Sequence, residues 1–216
     1  MKAPSFDFIA RRRVLGCLVA LGGAGALRAA AAGATGQSHD HADHSAHMAA
    51  AAKTQVKRRE VTYQVPAVTM LDQRGRKVVF SKALDDGRPV IMNFVFTSCT
   101  TICPVMTQIF AQVQVKLGVE LDRVHMVSVS IDPEYDTPGR LLSYARDHSA
   151  GAQWDFYTGS SDASIAVQKA FDAYRGDKMN HAPVTLLRGA RGNAWVRLDG
   201  FAGPDEIVGA YRTIAA

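Results

Sequence analysis

Residues 90–96, Val-Ile-Met-Asn-Phe-Val-Phe, make a nearly unbroken apolar run. A run of this length without polar alternation predicts a strand buried on both faces of a sheet. It leads directly into Thr97-Ser98-Cys99-Thr100-Thr101-Ile102-Cys103-Pro104. Residues 105–117 follow, with apolar positions at helical spacing that stop before Gly118. Two cysteines therefore stand where a buried strand turns into a helix. Pro104 suits the first helical position, where its missing N–H costs nothing. That places Cys103 near the N-cap and Cys99 on the turn before it. Free N–H groups and the positive end of the helix dipole favour anions there, so both thiols are expected to ionise more readily than a free cysteine. A pair four residues apart can close a disulfide or chelate one soft metal ion. Two buried structural cysteines are the plainer alternative.

The 216 residues suffice for one ordinary domain with additional segments. Net charge is +5, of which residues 1–34 carry +4 and the remainder +1. The basic excess thus lies in the leader and makes no case for a nucleic-acid partner. Arg11-Arg12-Arg13 is followed by an apolar or small run at 14–27 and by small-residue cleavage sites at 29–34. This predicts a signal peptide over residues 1–34. The run is short for a span, which needs about 20 residues; an uncleaved anchor that borrows the alanines is the alternative and would attach the chain to the membrane. Residues 11–15 are similar to a twin-arginine export signal. Cys17 precedes the bulk of the apolar run, so it does not read as a lipoprotein site. Export leaves Cys99 and Cys103 as the mature cysteines in an oxidising compartment. They would close only a very small loop, a poor staple, which favours chemistry.

Residues 35–56 are predicted to be a disordered, His-rich linker. Within it, His39, His41, His44, His47 and Met48 form a metal-binding tract by composition. Imidazole suits Cu(II), Ni(II) and Zn(II), and a thioether suits Cu(I); a plain solvated linker is the alternative. The folded domain is assigned to 57–216. Residues 61–65 and 68–71 are strand-like, and 77–80 returns across the turn at 72–75 as an N-terminal β-hairpin. Residues 124–131 read as a second central strand, parallel to the first through the helical crossover. Thr137 and Pro138 open a helix reaching about Asp147. Residues 154–157 are a short strand, and Ser161 or Asp162 caps a helix to about Tyr174. Residues 184–187 and 194–198 form a hairpin, and a last helix starts at 203–206. The sum is an α/β fold: a four- or five-stranded central mixed sheet flanked by helices. A redox-active cysteine turn after the first central strand is the thioredoxin arrangement.

His181 stands in a loop just before a strand, as Cys99 stands just after one. Antiparallel pairing of those two strands would bring the imidazole to the thiolates. Two thiolates and one imidazole make a soft trigonal set that suits Cu(I); zinc would want a fourth ligand. A surface histidine is the alternative.

Three blocks in order carry a resemblance: Cys99-x-x-x-Cys103-Pro104 after a Phe-x-Phe-Thr strand, Ser130-Ile131-Asp132-Pro133-Glu134-x-Asp136-Thr137-Pro138, and the later His181. Together they resemble the Sco/SenC family over nearly all of the mature domain. The resemblance implies a thioredoxin-like fold and one copper ion held by Cys99, Cys103 and His181. It also implies a periplasmic copper chaperone for the copper A centre of cytochrome c oxidase. Expected partners are the oxidase's subunit II or another cuproenzyme, together with other copper carriers or thiol reductants; the chain itself is expected to be a monomer. Three departures from the family pattern stand out. Thr100-Thr101 replaces Pro-Asp between the cysteines, Tyr135 stands where Arg is frequent, and Ala182-Pro183 follows His181. A proline there is similar to the cis-proline that faces the active cysteines of thioredoxins.

A thiol–disulfide oxidoreductase that keeps a client's copper-ligand cysteines reduced is the second reading, since the same thiols serve mixed-disulfide exchange. Only that reading would make the protein an enzyme. Peroxidase chemistry is disfavoured, because Met92 and Phe96 occupy the Pro and Thr places of the peroxiredoxin pattern. Asp132 is expected to support a ligand from behind; Met179, close to His181, is a low-ranking candidate for an auxiliary soft donor. Asp136 reads as a cap or turn residue. His125, His148, Met106, Trp154 and Trp195 read as structural or surface residues.

Overall fold

The computed structural model describes residues 55–215. The expected signal peptide and the tract at 39–48 lie outside the described residues. Eight described strands form one mixed sheet: β1 (Lys57–Thr62), β2 (Thr69–Asp72), β3 (Lys77–Val79), β4 (Val90–Val95), β5 (His125–Ser130), β6 (Trp154–Gly159), β7 (Val184–Arg188) and β8 (Ala194–Asp199). Their order is β1-β8-β7-β4-β5-β6-β2-β3. β4, β5 and β6 pair in parallel, and all other neighbours are antiparallel. The sheet is wider than the four or five strands expected. The extra width comes from the edges, where β1 joins β8 on one side and the β2–β3 hairpin joins β6 on the other. β1 is largely exposed and charged, so it lacks the apolar run that marks a central strand.

Every residue of β4 is buried, and its side chains alternate between two cores. Val90, Met92 and Phe94 pack with Val127, Val129, Phe171 and Trp195. On the opposite face Ile91 packs with Phe110, Met126, Trp154 and Leu187. The helices that cover these faces are α1 (Phe80–Ala83), α2 (Ile102–Leu117), α3 (Pro138–Asp147), α4 (Ser161–Ala170) and α5 (Pro204–Ala215). α2, α3 and α5 lie over the Ile91 face, and α1 and α4 over the Phe94 face. Each fully buried large side chain contributes about 1.5–3 kcal/mol, so two cores hold β4 as a rigid platform. A parallel β4–α2–β5 unit, then an antiparallel β7–β8 hairpin and a closing helix, is the thioredoxin-like arrangement. Among the described residues no helix is long and apolar enough to cross a membrane.

Local signals act close to where the sequence places them. Thr137 Oγ1 accepts from the Arg140 N–H (3.4 Å), and Pro138 opens α3. α4 is capped one residue earlier than expected, by Ser160 Oγ accepting from the Ala163 N–H (3.2 Å), and it ends at Ala170. α2 begins at Ile102 with Thr101 at its N-cap, so Pro104 is its third residue and not its first. The proline is still tolerated, because the first four helical N–H groups lack intrahelical partners. Gly118, at φ +52°, ends α2 in the left-handed region.

Candidate metal centre

The turn after β4 brings the two thiols together. The Cys99 N–H donates to the Phe96 carbonyl (3.1 Å), and the Cys103 N–H donates to Cys99 Sγ (3.4 Å). The Phe96 N–H in turn reaches Cys103 Sγ (3.5 Å). Both cysteines are free thiols. Cys103 is fully buried with Val95 and Phe96, and Cys99 and Ile131 pack against that cluster half-exposed.

A buried carboxylate clamps the turn. Asp136 accepts from the Thr97 N–H (3.2 Å to each oxygen), from Thr97 Oγ1 (2.5 Å) and from Ser130 Oγ (2.6 Å). Burial raises its pKa, against the hydrogen bonds of Ser130 and Thr97. The sequence reading assigned Asp136 only a turn or capping role and missed this clamp. Its signal is the block of residues 130–138, which marks the loop as special without naming its partner.

The thiols do not ionise alike, contrary to the expectation that the helix start favours both. Burial opposes ionisation of Cys99, but the N–H groups of Cys103 and Thr101, with the Cys103 thiol and the Thr101 hydroxyl (3.7 Å), outweigh it and hold Cys99 below an ordinary cysteine. Burial pushes Cys103 far up, and the neighbouring Cys99 and Asp136 charges add to this. Cys99 is thus the more readily ionised and the more accessible of the two thiols, and Cys103 is held in its neutral form. Iodoacetamide should label Cys99 at neutral pH well before Cys103. Because the folded pKa of Cys99 lies below that of a free thiol, its rate should level off at a lower pH than that of free cysteine. Rates measured on Cys103→Ser and Cys99→Ser from pH 6 to 10 check this; equal rates for the two would refute the asymmetry.

His181 reaches the same end of the sheet through strand register. β7 pairs antiparallel with β4, Asn93 opposite Thr185 and Val90 opposite Arg188, so the start of β7 meets the end of β4 as expected. The imidazole is buried. Burial pushes its pKa down to about 4, with the nearby Phe94 backbone opposing the shift. The ring is thus neutral at physiological pH. A neutral imidazole keeps a nitrogen lone pair, the state a metal requires. Among the described residues no three His, Cys, Asp or Glu side chains stand close enough together to hold a metal ion. The fold joins the two thiols and sets His181 on the adjacent loop without closing the set.

His181, Asp132 and Lys178 line a cleft of about 350 Å³ beside the turn. Asp132 is paired with Lys178 Nζ (2.5 Å). Met179 is largely exposed on the 3₁₀ turn Lys178–Asn180, and Pro183 follows a trans peptide bond, unlike the proline of thioredoxins. The other described histidines are elsewhere. His125 is buried between Asp155 (3.1 Å) and Asp86 (3.4 Å) at the far end of β5, and His148 packs on the Tyr144 ring. Met106, Trp154 and Trp195 are core residues.

The family model described as SCO1/SenC matches residues 56–216. The SCO1 protein homolog of Bacillus subtilis is 36% identical over 106 residues, 49% of this chain and 54% of that protein. The chain spans about half the length, or less, of the curated relatives it matches. BsSco, described as a member of the Sco family of cytochrome c oxidase assembly proteins with a disulfide switch, superposes with a TM-score of 0.62 at 30% identity, over 72% of this chain and 95% of that one. ScoI of Bradyrhizobium japonicum, solved with copper bound, shares the fold with a TM-score of 0.59 at 22% identity, over 70% and 99% of the two chains. The match of residues 56–216 takes in the whole described domain with Cys99, Cys103 and His181, and the chain belongs to the SCO1/SenC family.

Proposed function

We propose that the protein is an exported, periplasmic copper chaperone. It holds copper through Cys99, Cys103 and His181 and passes it to the copper A centre of cytochrome c oxidase, with subunit II as the client. One observation carries the reading: a reactive and a buried thiol in mutual contact, beside a loop that presents a neutral histidine. The donor set is soft and suits Cu(I), and the imidazole adds the nitrogen that Cu(II) prefers. Cys99 supplies the first thiolate, binding displaces the Cys103 proton, and approach of His181 completes the set. Copper held by few ligands passes to a client's thiolates by ligand exchange. The tract at 39–48 serves as a second, weaker site joined to the domain in the same chain, which raises local copper near it.

Anaerobic titration of the reduced chain should find one tightly held Cu(I) per domain. Deletion of residues 35–52 should leave that ion in place and lower total Cu(II) uptake. Unchanged Cu(II) stoichiometry after the deletion would exclude the tract as a ligand, and absence of the tight Cu(I) would exclude the domain site.

The ionisation split supports a second reading, a thiol–disulfide oxidoreductase. Cys99 thiolate attacks a client disulfide and forms a mixed disulfide. Cys103 then loses its proton, displaces the client's thiolate and closes the Cys99–Cys103 bond, so two electrons pass to the client.

A further inference from the structure

A side-chain contact ties the His181 loop to the centre of the domain, and it is made by Lys178, three residues before His181. Its Nζ lies 2.5 Å from Asp132 Oδ2 and 5.7 Å from the centre of the Phe96 ring. Both partners belong to the cysteine turn's support. The Asp132 N–H donates to Ser130 Oγ (3.0 Å), and Ser130 Oγ donates to Asp136, which clamps Thr97. Phe96 packs on Cys103 and points its N–H at Cys103 Sγ. Asp177, by contrast, accepts from the Met179 N–H (2.8 Å), a bond internal to the loop.

We propose that Lys178 is a positioning residue for His181: pinned between Asp132 and Phe96, it keeps the His181 loop at the edge of the cysteine turn, ready to complete a copper site. This rests on the ligand set proposed above. An untethered loop must be ordered when the metal binds, and that entropy is subtracted from affinity. A tethered loop has lost it already. Asp132 therefore acts on copper through Lys178 and not through a direct bond to the imidazole. The ammonium is partly exposed, so solvent screens the pair and its effect on affinity is modest.

The test loads the reduced full chain with Cu(II) and follows the thiolate-to-Cu(II) charge-transfer absorption in competition with a chelator. The tract at 39–48 has no thiolate and is silent in that band. Lys178→Met should weaken Cu(II) affinity by about fivefold, the most that a partly exposed ion pair supplies, and should shift the band. Cu(I) affinity, carried by the thiolates, and the thermal midpoint should not change. Lys178→Arg, still able to reach Asp132, should restore both affinity and band. Asp132→Asn should reproduce the loss without adding to that of Lys178→Met. An unchanged Cu(II) affinity and band in Lys178→Met would overturn the proposal, as would full additivity of the two losses. Equal loss of Cu(I) affinity with a lowered midpoint would also overturn it, by making Lys178 a general stabiliser. If His181→Ala leaves the wild-type band unaltered, the ligand set itself is wrong, a failure distinct from that of Lys178.

Discussion

Replacement of Cys99 and Cys103 together by alanine should remove tight Cu(I) binding from the domain and leave it folded. Cu(I) requires soft donors, and these are the two free cysteines of the described domain. Loss of a group that merely supports a ligand costs up to about 100-fold in metal affinity, so loss of both thiolates should exceed that. Folding survives because the change is small. Cys103 is fully buried, but exchanging its thiol for hydrogen resembles deletion of one buried methyl group, on the order of 1 kcal/mol. Equilibrium dialysis under anaerobic conditions, with residues 35–52 deleted so that the tract cannot mask the result, decides the matter. One copper retained per double-variant domain would show that the site is assigned wrongly.

His181→Ala separates carrier from oxidoreductase. Burial keeps the imidazole neutral, and under the carrier reading its removal leaves a two-thiolate site. Such a site still holds Cu(I) but holds Cu(II) poorly. Disulfide exchange makes no demand on His181, because the mutual contact of the thiols and the lowered pKa of Cys99 arise within the turn itself. The expected result is loss of Cu(II) binding and of client copper loading, while the Cys99–Cys103 disulfide still forms and can still be reduced. Oxidase activity in a strain carrying only the variant, at low copper, is read beside a thiol-exchange assay on the purified protein. Full oxidase activity would sink the carrier reading and favour the oxidoreductase.

Much of the site was legible in the chain because it is built from adjacent residues. The burial of β4 follows from seven consecutive positions, the turn from the next eight, and the start of α3 from Thr137-Pro138. The placement of His181 needed only one further step, antiparallel pairing of β7 with β4, and the register provides it. The edge strands were less legible. β1 carries charged, exposed side chains and is held by backbone bonds to β8, far along the chain.

The sequence by itself determined how these residues are placed: two cysteines at a strand-to-helix turn, and a histidine just before the strand that pairs beside it. Local pattern suffices for that, since burial, turn and cap are properties of neighbouring residues. Only the tertiary structure decided how the groups behave. The helix start alone predicts two acidic thiols, yet Cys103 points into a dry cluster with Val95 and Phe96, and desolvation there outweighs the helix's N–H groups. Asp136 meets Thr97 across 39 positions, and Lys178 meets Asp132 across 46. No local period reports such meetings, because they exist only once the sheet has brought the ends of β4, β5 and β7 to one edge.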